Sequence, residues 1–160
     1  MEIKEKFYIA KSFLALADNN FLLVQNVLEE NIKQGNVPWV TGWGEISERE
    51  LNEKIKWSDI NIFPILFNFY HSLELLMKGF LILADNYEIK QSHNFEKIFN
   101  NFQKYYQVQE INNILSKYLN PCFMPNLLSE WMKENQINAT QLHEFLEYPY
   151  DIELQKKLVI

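Results

Sequence analysis

Few side chains in this 160-residue chain could do chemistry: three histidines, one cysteine and a single arginine, Arg49. Three candidates fall in the run Ile60–Ala84, INIFPILFNFYHSLELLMKGFLILA. At about 100° per residue, His71, Glu74 and Lys78 lie within roughly 60° of one another on one side of a helix. His93 follows just across a polar loop. A histidine in such a group can act as acid or base near neutral pH, while a lysine neutralises an anion. The candidates for catalysis are therefore His93, His71 and Lys78, and those for binding are Glu74, Lys78 and His93. A plainer reading stands beside this one. Glu74 and Lys78 are four apart in the order that favours an ion pair, so they can simply pair with each other while His93 supports the next helix start. His143, in QLHEFLE, stands among ordinary helix residues, and Glu144 and Glu147 beside it argue against an anion site. It reads as a surface or half-buried position.

The other reactive types offer less. Cys122 sits between Pro121 and Phe123 with no local histidine or basic cluster, so a catalytic thiol is not expected. One cysteine makes neither an intramolecular disulfide nor a cysteine-rich zinc site. Phosphate-binding glycine motifs, zinc-ligand spacings and the nucleophile elbow are all missing, so no metal and no cofactor are expected. Trp39 and Trp43 bracket small residues in VPWVTGW. They can pin a loop onto the body of the protein, or present an aromatic surface for a base or a partner chain.

The elements that must position these groups read as helices. Ile60–Ala84 is so apolar that other helices must surround it, making it the central helix of a bundle. Pro64 belongs in its first turn, with Asp59 as cap. A membrane span of this length would carry His71, Glu74 and Lys78 in its middle at high cost, so a buried soluble helix is expected. Residues 2–34 read as one long helix, because Ile3, Phe7, Ala10, Leu14, Ala17, Phe21, Val24 and Leu28 alternate spacings of four and three. A second seam, Ile9, Phe13, Leu16, Leu23 and Val27, runs beside it, so cover is expected on more than one side, from the bundle or a second subunit. Asp18-Asn19-Asn20 could kink this helix.

Ser47-Glu48-Arg49-Glu50 fits a capping box for a short helix reaching about Trp57. Ser92-His93-Asn94 starts another, with Phe95, Ile98, Phe99 and Phe102 on one face. Glu110–Leu119 is expected to turn Ile111, Ile114, Leu115 and Tyr118 inward. Pro125 opens a helix with Leu127, Leu128, Trp131 and Met132. Asn138-Ala139-Thr140-Gln141 caps a last one with Leu142, Phe145 and Leu146, broken at Tyr148-Pro149-Tyr150-Asp151. No alternating pattern is long enough for a sheet. The expected fold is all-α: an up-and-down helical bundle with a long N-terminal helix and a central apolar helix, in one domain over residues 1–160.

Apolar residues make up 48% and the net charge is −6, which excludes disorder and disfavours indiscriminate nucleic-acid binding, double-stranded DNA included. The N-terminus has no apolar signal core, so a cytoplasmic location away from membranes is expected.

The segment HSLELLMKGFLILADNYEIKQSHNFEKIFNNF, residues 71–102, resembles the HEPN superfamily of prokaryotic helical domains. Glu74 and Lys78 four apart on an apolar helix carry the resemblance. His93 then begins the next helix, ahead of Phe95, Ile98 and Phe99. EYPYD, residues 147–151, is similar to the segment Arg-Tyr-Pro of some relatives, with Glu147 in the place of Arg. The resemblance implies an all-α bundle, commonly a homodimer, binding or cleaving RNA in toxin–antitoxin, antiphage or stress-response settings. Ribonuclease members use an Arg, four to six residues, then a His. No histidine follows Arg49 within that reach, and Lys90 lacks the planar fork of arginine. The resemblance therefore implies a non-catalytic module acting through RNA or a protein partner. The alternatives are a diverged metal-independent endoribonuclease using His93 or His71 with Lys78, and a purely structural dimerisation module.

Overall fold

The structure, a computed structural model, describes residues 3–33, 59–84, 92–120, 122–124 and 126–147, with side chains for all but 59–63, 126–128 and 131. Trp39, Trp43, Arg49, the expected helix to Trp57, the loop 85–91, Pro121, Pro125 and the segment 148–160 lie outside the described residues, as do the side chains of Leu127, Leu128 and Trp131. The fold is all-α. In chain order the described residues form α1 (Ile3–Lys33), α2 (Asp59–Leu83), α3 (Phe95–Tyr105), α4 (Gln109–Leu119), α5 (Asn126–Glu134) and α6 (Ala139–Glu147). No strand occurs among them.

α2 is the central element, packed by α1, α3 and α6. It starts earlier than expected: Asp59 is its first residue rather than its cap, and Pro64 lies inside the helix. A proline there cannot donate to the carbonyl four residues back. The Pro64 carbonyl itself accepts from Asn68 Nδ2 at 2.7 Å. Pro64–Leu83 is long and apolar enough to cross a membrane by composition. In this structure it is a core helix, with Tyr70, Ser72, Met77 and Leu81 fully buried.

α1 runs unbroken through Asp18-Asn19-Asn20 and packs antiparallel on α2. Phe21 meets Phe69 edge-on at 6.0 Å, while the opposite end of the pair brings Gly79 against Phe13 and Leu14. A Cβ at position 79 would stand 2.8 Å from Leu14 Cγ, so glycine is what lets the two backbones approach. Small residues on α1 serve the same purpose: its buried positions are Ala10, Ala17 and Val24. The expected seams are only half covered. Ile3 and Phe7 are exposed, because the register set by Gly79 carries the start of α1 past the C-terminal end of α2. Leu16 and Leu23 of the second seam are exposed as well, since among the described residues α1 packs mainly on α2 and a single helix covers only one side of a cylinder.

The rest of the core lies on the other side of α2. Tyr70, Leu73, Met77 and Leu81 meet Phe95, Ile98 and Phe102 of α3, Leu115 of α4, Met132 of α5, and Leu142, Phe145 and Leu146 of α6. Each such side chain contributes about 1.5–3 kcal/mol of transfer free energy. The buried Tyr70 hydroxyl donates to the Tyr118 carbonyl at 3.1 Å. Burial first, and then the nearby Tyr118, push its pKa upward. Ile111 and Ile114 are exposed, against expectation. Among the described residues α4 packs mainly on α3 and reaches α2 through Tyr118, and its buried stripe narrows to Leu115.

Candidate functional site

Two caps fix the elements that carry the site. Asn94 Oδ1 accepts from Lys97 N at 2.9 Å and starts α3, which sets His93 just outside the first turn. Asn138 and Gln141 exchange side-chain and backbone bonds at 2.9 and 3.0 Å, a reciprocal box that starts α6. Inside α6, Thr140 Oγ1 accepts from the buried Phe95 N at 3.1 Å. That bond ties the start of α3 to α6, and so fixes His93 and His143 relative to each other.

All three histidines of the chain converge on Glu74. The carboxylate is buried, at 1% exposure, in the middle of α2. Its Oε1 accepts from Lys78 Nζ one helical turn on, and His93 Nδ1 stands 3.0 Å from the same oxygen. Its Oε2 faces His71 Nδ1 and His143 Nε2, each at 3.7 Å. The expected pair Glu74–Lys78 is thus present, and so is the convergence with His71 and His93. His93 does not cap α3; Asn94 does.

His143 is the residue the sequence reading misplaced. It is neither superficial nor half-buried, being 1% exposed. Its ring packs on Phe67 and, edge-on, on Phe95, and it lies near-parallel to His71. Glu144 points outward, so its charge does not bear on the inner face. A histidine flanked by the apolar Leu142, Phe145 and Leu146 on a short helix carries that signal: those spacings bracket the buried stripe on both sides of His143.

The electrostatics follow from this geometry. Burial alone would raise the Glu74 pKa, but contact with the His71 imidazole and the Lys78 ammonium overrides it and holds the carboxyl at about 2. His143 moves the other way. Burial penalises its cation and lowers its pKa below 6.5, against the opposing pull of Glu74 and Glu147. The inner site is therefore an ionised carboxylate beside a neutral imidazole, and Lys78 balances the carboxylate's charge. Glu74 Oε2 and both nitrogens of His143 have no hydrogen-bond partner among the described residues.

Solvent reaches the cluster from the side of His93, 65% exposed, and His71, 36% exposed. A separate cleft of about 580 Å³ opens between α3, α4 and the start of α6, lined by Glu96, Phe99, Gln103, Asn120 and Asn138 among others. None of the cluster residues lines it. Cys122 is exposed. Comparison with known protein families, curated proteins and solved structures finds no match for this chain.

Proposed function

We propose that this chain is an HEPN-like helical module that works by binding rather than by cleavage. It engages RNA or a protein partner in a toxin–antitoxin, antiphage or stress-response setting. The support for non-catalytic action is the Lys78–Glu74 pair. Lys78 is the cation best placed to replace the missing arginine, and it is already neutralised by a buried carboxylate. A phosphorane intermediate needs uncommitted positive charge aimed at its oxygens. Dimer formation through α1 is part of this proposal. Tyr8, Leu16 and Leu23 lie within roughly 80° on its outer side, and all three are more than half exposed.

One observation favours a second reading, a diverged metal-independent endoribonuclease. His93 Nδ1 stands 3.0 Å from Glu74 Oε1 while most of its ring faces solvent. A carboxylate that orients one imidazole nitrogen leaves the other to move a proton. Incubating the untagged protein with mixed RNA in EDTA separates the readings. We expect no cleavage by wild type, His93→Ala or Lys78→Ala, and loss of the dimer in light scattering when Leu16→Glu and Leu23→Glu are combined. Cleavage by wild type that disappears in His93→Ala would establish the enzyme instead.

A further inference from the structure

The geometry points to a divalent transition-metal site of the zinc class, held by His71, Glu74 and His143. Ligand atoms of these three residues lie within 4.8 Å of one another. Glu74 Oε2 is 3.7 Å from a nitrogen of each histidine. Around a tetrahedral zinc with bonds of about 2.0–2.1 Å, neighbouring ligand atoms stand roughly 3.3–3.4 Å apart. The two pairs on Glu74 Oε2 therefore need to close by only a few tenths of an ångström, with the His143 ring turning toward the ion.

A second observation is independent of this spacing. Among the described residues, both nitrogens of His143 and Glu74 Oε2 lack hydrogen-bond partners, although both side chains are 1% exposed. A buried, desolvated polar atom without a partner costs about 1–3 kcal/mol. A distance of 3.7 Å is too long for a hydrogen bond to recover that. A metal ion between Glu74 Oε2 and His143 satisfies the carboxylate oxygen and one imidazole nitrogen together.

The carboxylate is already divided in the way such a site requires. Lys78 and His93 occupy the side of Oε1, where they orient Glu74 and leave Oε2 to the metal, the role that outer partners play around bound ions. The donor set also selects the ion. Two imidazoles and one carboxylate suit zinc, cobalt or iron(II), whereas magnesium and calcium require mostly oxygen. Three protein ligands leave a position open, on the side where His71 meets solvent. His71 and Glu74 are three apart on α2, and His143 arrives from α6, so no local ligand motif exists in the sequence.

The test is titration of the untagged full chain with Zn²⁺ against a chromophoric chelator, with Co²⁺ as a spectroscopic replacement. Wild type should take up one equivalent, and Co²⁺ should show the strong visible bands of four-coordination. His71→Gln, at a partly exposed position where folding is least at risk, should weaken uptake by about 100-fold or more, and His143→Gln should do the same. His93→Gln should cost about 10-fold, as an outer partner of the carboxylate. Circular dichroism establishes that each variant is folded. Zn²⁺ uptake by folded wild type no tighter than by folded His71→Gln would overturn the site. So would a sulfur-to-cobalt charge-transfer band, which would place the ion on Cys122.

Discussion

His143 Nε2 and Glu74 Oε2 face each other at 3.7 Å, both on side chains that are 1% exposed. They come from different helices and are held at that distance by packing. The Thr140–Phe95 bond fixes α6, and the rings of Phe67 and Phe95 confine the imidazole. The result is a preformed polar spot inside an apolar bundle. Its charge balance is set by Lys78, and its open side by His71 and His93.

Replacing Glu74 by glutamine keeps the volume and removes the charge. Lys78, 19% exposed, then loses its counter-ion in a largely buried setting. Breaking one side of a buried pair costs about 3–5 kcal/mol, and the partial exposure of Lys78 puts Glu74→Gln near the lower end, about 3 kcal/mol. Urea unfolding measures it directly. A loss below about 1 kcal/mol would mean that the carboxylate is not the electrostatic anchor of the cluster.

The pH dependence of the metal-free protein has two windows, both with stability falling toward acid. His143 has its folded pKa lowered from 6.5 by burial. The unfolded chain therefore binds the proton more readily, and the stability from the neutral ring is full above pH 6.5 and lost as pH falls below it. Glu74 titrates at about 2 in the fold against 4.5, so its contribution is full above pH 4.5 and lost between there and about 2. In EDTA, urea unfolding should show a slope that begins near pH 6.5 and rises toward about 1.4 kcal/mol per pH unit roughly one unit lower. His143→Gln should flatten that slope and leave the lower window in place. An unchanged slope in the variant would assign the upper window to another group.

Much of the fold was legible because helix periodicity and caps are local properties. The apolar run of α2, the face of Phe95, Ile98 and Phe102, and the cap at Asn138 all follow from neighbours in sequence. So did the Glu74–Lys78 pair, one turn apart. What was not legible depends on which side of a helix finds a partner. Leu16, Leu23, Ile111 and Ile114 have core-type side chains at core-type spacings, yet they face outward because no described helix covers them. His143 erred in the opposite direction. Its burial is decided by the approach of α6 to α2, a contact between distant segments whose one local sign is the apolar stripe of Leu142, Phe145 and Leu146 on either side of it.

The turn between α5 and α6 stores removable strain. Gln136 has φ 54°, the left-handed conformation that glycine adopts without cost. Ile137 N donates to Met132 O at 3.0 Å and Gln136 N to Lys133 O at 3.1 Å, the paired bonds of a Schellman stop. A non-glycine residue there costs roughly 1–2 kcal/mol. Gln136→Gly should therefore raise stability by about 1 kcal/mol, after allowing for the entropy of the unfolded glycine chain. Thermal unfolding reads this as a rise in Tm, and a fall in Tm would mean that the Gln136 side chain contributes contacts outweighing its backbone strain.

Thr140→Val tests whether the cluster is positioned from outside itself. The substitution keeps the branched shape and deletes the hydroxyl that accepts from Phe95 N. A buried amide left without its acceptor costs about 1–3 kcal/mol. That cost alone is a structural effect. The positional consequence is separate, because Thr140 and His143 share a face of α6 and Phe95 follows His93 by two residues. Loosening the α3–α6 junction moves two imidazoles relative to Glu74 without touching either ring. With a metal between Glu74 and His143, Zn²⁺ affinity should fall about 10-fold in a variant that remains folded, as for other outer supports of a ligand. Far-ultraviolet circular dichroism, urea unfolding and chelator competition on the same preparation separate the two effects. A loss of stability with unchanged Zn²⁺ affinity would show that His143 is held by its aromatic neighbours Phe67 and Phe95 and not by the Thr140 junction.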